Sequence, residues 1–261
     1  RPEKSTLSSC GNGVKSMKSP FKSDRSAPFV RYALSSRSVL YSALFALPLF
    51  LLYEVMALIF REEVDNIRNG ADVLLKQLLG LVGVYGLINV SIVMLVGLVV
   101  VIWYNRHQVS GPIRIRYFAL MFGESILYGL GLGMVVSWIV RTVLLATGTG
   151  NLQTQIIISL GAGVYEELVF RVFLVSGLYL FLYRLIGLRN ISAYVISAVS
   201  AALIFSGFHY IGPLGDTWEL HSFLYRFVAG LVLSGLYILR GYGIAAYTHA
   251  LYDLFVTFSA L

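Results

Sequence analysis

The sequence predicts an all-α protein, a polytopic transmembrane helix bundle of seven to eight spans around a membrane-embedded polar cavity. Three observations predict it. Of 261 residues, 57% are hydrophobic and only 13% charged, and the mean hydropathy of +0.78 is far above that of a soluble domain. Apolar runs of the roughly 20 residues that cross a bilayer recur from Ser38 to the end of the chain. Apart from Glu54 and Glu124, the ionisable groups inside those runs gather in three short clusters in the C-terminal half, and such groups face protein or water when they lie within a membrane.

Residues 1–37 carry eight Lys or Arg against Glu3 and Asp24, with many Ser and few large apolar side chains. That composition favours a disordered tail. The chain opens on Arg1, so an upstream start is expected. Basic residues hold loops in the cytoplasm. Arg106, Arg114 and Arg116, then Arg184 and Arg189, then Arg240 recur at every second loop on the tail's side, whereas Arg61, Arg68, Lys76, Arg141 and Arg226 fall on the other. The N-terminus is therefore expected in the cytoplasm and, with seven spans, the C-terminus outside. The net charge of +7 lies mostly beside spans, so its expected partner is the lipid bilayer with its anionic headgroups and not nucleic acid. Cys10, the single cysteine, leaves no intrachain disulfide or Cys-based metal site, and "FSAL" lacks the Cys a prenylation signal needs.

The first span, 38–60, is too long and too far into the sequence for a secretory signal peptide and is expected to stay uncleaved. Pro48 is expected to kink it. Segment 61–80 mixes acids and bases, with Val73, Leu74, Leu75, Leu78 and Leu79 bunched toward its end, and reads as an interfacial helix. Further spans are expected at 82–104, 117–145, 155–182, 191–211, 221–239 and 242–259. Gly129-x-x-x-Gly133 and Ser159-x-x-x-Gly163 have the spacing of close helix packing. The organisation is thus a basic tail over 1–37 and a bundle over 38–261.

The stretch "GAGVYEELVFRVFL" (161–174) puts Glu166, Glu167 and Arg171 into an apolar helix, where each charge costs roughly 2.5–3.5 kcal/mol at the bilayer centre. Glu167 and Arg171, four apart with the acid first, can neutralise each other. Glu166 is rotated about 100° from Glu167 and is the acid expected to face another group. "FSGFHY" (205–210) places His209 one turn after Phe205, and "YTHALYDLF" (247–255) places His249 and Asp253 on one helix face. A lone histidine on an apolar helix is ordinarily a hydrogen-bonded core residue, and a Glu–Arg pair an ordinary structural tie. Three clusters together point to function.

Glu166-Glu167-x-x-x-Arg171, Phe205-x-x-x-His209 and His249-x-x-x-Asp253, in that order on separate helices, resemble the CPBP intramembrane proteases. These are also called CAAX proteases and bacteriocin-processing enzymes or the Abi family, and include the eukaryotic Ras-converting prenyl-protein endopeptidase. The resemblance covers about residues 155–258. It implies an endopeptidase that cuts a membrane-embedded or lipid-modified protein or peptide, with Glu166 and His209 activating water and His249 with Asp253 serving the oxyanion. Glu167 and Arg171 would support these four. The eukaryotic enzymes have Asn where this chain has Asp253. An ionised Asp253 cannot donate to an oxyanion, so it is expected to orient His249 or to bind a metal. The location implied is a bacterial cytoplasmic membrane, crossed several times.

Glu166, His209 and His249, with Asp253 as a fourth donor, form the kind of set a catalytic zinc accepts. Yet no H-E-x-x-H is present, and the same residues serve a metal-free glutamate mechanism. The metal-free site is preferred, with zinc and the metalloprotease label as the alternative. One expectation conflicts with the rest. At 1.5 Å per residue His209 lies about 27 Å along its span and His249 about 10 Å along its own, so the helices must tilt strongly or begin at unequal depths for the two to meet. Two other functions compete: a non-proteolytic scaffold of the same fold that binds a partner in immunity or regulation, and a proton-coupled transporter. A transporter would show related halves, and none is visible.

Overall fold

The computed structural model describes residues 28–60, 87–107, 112–140, 152–211 and 215–259. Among them are eight helices and no strand. They are α1 (Pro28–Ser36), α2 (Val39–Ile59), α3 (Leu87–Asn105), α4 (Ile115–Val140), α5 (Leu152–Leu185), α6 (Asn190–Phe208), α7 (Leu220–Arg240) and α8 (Tyr242–Ser259). Five of them, α2, α4, α5, α6 and α7, are long and apolar enough to cross a membrane. In α3 the shorter apolar stretch is Ser91–Asn105. The helix expected over 61–80 lies outside the described residues.

Residues 1–27 of the expected tail also lie outside them; its last part is helical in the structure. Pro28–Ser36 forms α1, with Tyr32 and Ser36 buried. Long-range contacts explain why so polar a stretch folds. Arg240, at the end of α7, donates to Ala33 O (3.3 Å) and Ser36 Oγ (3.0 Å) while pairing with Glu124 of α4 at 2.7 Å. The Tyr32 ring meets Tyr117 edge-on at 5.2 Å. Glu124, which has no partner legible in sequence, is thus the counter-ion that brings Arg240 to α1.

α8 is the axis of the bundle, packed against α2, α4, α5 and α7. Its small residues permit this. A Cβ on Gly163 of α5 would lie 2.4 Å from Ala246 O and 2.7 Å from Ala250 Cβ, so the α5 and α8 backbones touch. A Cβ on Gly129 of α4 would lie 3.3 Å from the Thr248 carbonyl oxygen, a close but looser approach. These are the close crossings that the small-residue spacings predict. Around them Tyr53, Ile157, Leu160, Val164 and Tyr165 form the main apolar cluster with Ala246 and Ala250.

His209 and His249 meet despite that depth count, because both rings pack on Phe205, at 4.9 and 6.2 Å. On α5, Ser176 Oγ lies 2.7 Å from the Tyr237 hydroxyl, and Val164 O accepts the Tyr242 hydroxyl at 2.9 Å, so both sides of the α7–α8 corner are tied to α5. Gly241 makes that corner alone, at φ 89°, a conformation that favours glycine.

Gly163→Ala is expected to lower stability by about 1–3 kcal/mol, the usual cost of forcing an extra methyl into a packed core. Gly123→Ala, where the new Cβ meets nothing within 4 Å, is expected to be neutral. Thermal unfolding of the two variants in the same detergent makes the comparison, and equal midpoints would contradict the packing described.

Candidate functional site

The middle of α5, Ala162–Val175, is wound as a π-helix, with i→i+5 bonds that run on to the Ser176 N–H and the Arg171 carbonyl. Such turns are rare and concentrate at functional sites. Within this stretch two consecutive acids lie beside one imidazole. Glu167 Oε1 accepts the His249 Nδ1–H at 2.7 Å, and Glu166 Oε2 lies 3.9 Å from Nε2 of the same ring. Asp253 Oδ2, one turn along α8, lies 3.5 Å from that Nε2. His249 thus has carboxylates beside both ring nitrogens.

Glu167 is wholly buried, at 0% exposure, and Arg171 at 1%. The Arg171 Nη1 sits 2.9 Å from Glu167 Oε1, the oxygen that also takes the His249 proton. Its N–H groups point off the direction of a hydrogen bond, and among the described residues none of them has another acceptor. The guanidinium instead lies 4.5 Å over the Phe205 ring, a cation–π contact that strengthens where water is excluded. Asp253 was expected to orient His249; the hydrogen-bond-distance partner is Glu167, which serves Arg171 and His249 at once.

Phe205 gathers the remaining groups. Its ring meets His209 edge-on at 4.9 Å and His249 at 6.2 Å. His209 caps the C-terminus of α6, and its Nδ1–H donates to Phe205 O at 2.8 Å. A neutral imidazole held that way presents Nε2 as its acceptor. The backbone of His209 is tied as well, its carbonyl accepting the Asp216 N–H at 2.9 Å, while Arg226 of α7 pairs with Asp216 and donates to the Tyr210 hydroxyl at 3.1 Å.

The fold therefore brings Glu166, Glu167, Arg171, His249 and Asp253 into one cluster, and places His209 beside it across Phe205. Sequence reasoning missed Glu54. This buried carboxylate of α2 accepts the hydroxyls of Tyr165, the neighbour of Glu166, and of Ser91 on α3. The acid–tyrosine pair has no periodic signature, because its partners are 111 residues apart.

Among the described residues no group of three or more His, Cys, Asp or Glu side chains is placed to hold a metal as it stands. Nδ1 of each imidazole is engaged by Phe205 O or Glu167, the kind of contact that fixes a ligating histidine, and it leaves the two Nε2 atoms as the donors a metal would take.

Residues 148–255 match the model of the Rce1-like family, described as type II CAAX prenyl endopeptidase Rce1-like. That stretch is similar to the Rce1-like family, and it contains the five residues of the cluster and His209. No curated protein and no solved structure matches the chain.

Glu167→Gln leaves Arg171 buried without a counter-charge, and breaking such a pair costs about 3–5 kcal/mol. The variant is expected to give a low yield of monodisperse protein in detergent. Adding Arg171→Met is expected to restore much of that yield, and a double variant no better than the single one would mean that the pair is not what holds the helix.

Proposed function

We propose that this Rce1-like domain is an intramembrane endopeptidase that hydrolyses a peptide bond of a membrane-embedded or lipid-modified protein or peptide. The observation that carries this reading is the His249 imidazole with carboxylates beside both nitrogens, set next to a second histidine inside a bundle of apolar helices. Glu166 is assigned as the base. At 3.9 Å from His249 Nε2 its oxygen is too far for a direct hydrogen bond and is available to a water. His209 holds that water through its free Nε2. The water oxygen attacks the scissile carbonyl carbon as its proton passes to Glu166, and charge gathers on the carbonyl oxygen, where a donor on His249 Nε2 stabilises it. The C–N bond then breaks as Glu166 returns the proton to the leaving nitrogen.

In this reaction Glu167 and Arg171 are positioning residues, because they act through His249. Asp253 restrains the imidazole from the Nε2 side. The metal-free route is our reading, with zinc held by Glu166, His209, His249 and Asp253 as the alternative that the experiment distinguishes.

Glu166→Gln keeps the shape and removes the base, so turnover is expected to fall by about 10²–10⁴-fold, the usual worth of general-base catalysis. His209→Ala and His249→Ala are expected to be comparably damaging. Cleavage of a panel of prenylated and unprenylated membrane peptides by the purified chain measures this, with and without chelator. Undiminished cleavage by the Glu166→Gln protein rejects the assigned base. A cellular phenotype that persists in all three variants favours a non-proteolytic scaffold, and chelator inhibition reversed by zinc favours the metal route.

We further propose a bacterial cytoplasmic membrane, seven spans and a cytoplasmic N-terminus. Reporter fusions at Arg31 and Arg114 are expected to read cytoplasmic and one at Leu261 external. A cytoplasmic signal at Leu261 would require another span.

A further inference from the structure

A second feature of the bundle lies on the other side of α5. Between α2, α3 and α5 is a cavity of about 610 Å³, within the range of roughly 300–1,000 Å³ typical of ligand pockets. Its walls are graded along the helices. Toward the interior they are apolar, with Ala46 and Phe50 on α2 facing Leu168 and Val164 on α5. Toward the α7–α8 corner they become polar: Ser42 brings a buried hydroxyl with no partner among the described residues, Tyr179, Tyr194 and Tyr237 line the wall with the Tyr179 and Tyr237 hydroxyls bonded to Asn190 and Ser176, and Arg37 stands at the end. No carboxylate is among the residues that line it. Arg37 is exposed and has no ion pair among the described residues. The lining residues Val93, Val101 and Phe173 are also exposed, so the cavity opens sideways, where lipid would surround the bundle.

The cavity is separate from the reaction site. Val164 and Leu168, which line it, stand two positions to either side of Glu166, nearly half a turn around the helix. The Tyr242 side chain, bonded to Val164 O, closes the wall between α5 and α8. A peptide bond presented to Glu166 therefore comes from the opposite side of α5.

We infer that this cavity is a binding site for an anionic phospholipid, one acyl chain lying along α2 and α5 and the phosphate meeting Arg37. The charge gradient selects the occupant. An apolar chain fits the deep walls, a guanidinium with no ion pair among the described residues and the Ser42 hydroxyl on the same lining suit a phosphodiester, and the open side admits a molecule from the bilayer. The inference is independent of the proteolytic reading, because no residue of the reaction site contributes to it.

The test uses the full chain in nanodiscs containing traces of a photoactivatable phosphatidylglycerol or, in parallel, the matching phosphatidylcholine, each with its reactive group on the acyl chain. Crosslinked peptides are located by mass spectrometry. Phosphatidylglycerol is expected to label α2, α3 and α5 about fivefold more than phosphatidylcholine, the worth of one basic residue beside an anionic headgroup. Arg37→Gln is expected to bring that ratio to about one. Gly97→Phe fills the cavity from α3, where a Cβ meets nothing within 4 Å, and is expected to abolish the specific labelling by both lipids while Gly97→Ala retains it. Thermal midpoints of the Gly97 variants establish that they fold. A headgroup preference that survives Arg37→Gln overturns the assignment, as does undiminished labelling of Gly97→Phe. Displacement of the probe by a prenylated peptide would make the cavity part of a substrate path and would equally overturn it.

Discussion

The site depends on a single oxygen. Glu167 Oε1 accepts the His249 Nδ1–H and neutralises Arg171, so the orientation of the imidazole on α8 and the burial of the guanidinium on α5 are one problem with one solution. An isolated carboxylate at 0% exposure would be prohibitively desolvated. Between two cationic or donor groups it becomes tolerable, and it then fixes the relative position of the two helices. Phe205 completes this arrangement from α6, offering its π face to the guanidinium and meeting both histidine rings in T-shaped contacts. One acid and one aromatic ring thus connect the three helices that carry the clusters.

Close approach makes that connection possible. Glu167 reaches His249 because Gly163, four residues earlier, lets α5 touch the backbone of α8 at Ala246. The same economy appears at the α7–α8 corner, where a single Gly241 returns the chain and sets α8 beside α5. Small residues therefore determine geometry here more than hydrophobicity does, as expected where lipid tails solvate apolar helices as well as other helices do.

What the sequence reveals and conceals follows from the range of the physics. Spans are legible because their signal is local: a run of apolar residues of bilayer length needs no partner, and α2 and α4 to α7 appear where the runs predict them. The ordering of α1 is concealed because it rests on Arg240, 204 residues from Ser36. Packing between helices is concealed too, and depths counted along straight helices set His209 and His249 apart when both lie beside Phe205. At the site, the residues that come together were named by the three clusters, but their contacts were not legible. An α-helical wheel separates Glu166 from Glu167, yet both carboxylates lie near His249, and nothing in the spacing of residues 162–175 announces the π winding.

That division of labour bears on Asp253. A side chain at this place that carries an amide can donate to a developing oxyanion, and a carboxylate cannot. With Glu167 on Nδ1 and Asp253 3.5 Å from Nε2, His249 is flanked by acceptors, so in the proposed reaction the donor to the oxyanion is His249 itself. Its Nε2 is shared by Asp253 and, at 3.9 Å, Glu166, neither close enough to hold the proton in a short hydrogen bond. An arriving carbonyl oxygen competes with two loose partners and not with one tight one. The tight bond lies on the opposite nitrogen, where Glu167 fixes the ring without occupying the atom that does the chemistry.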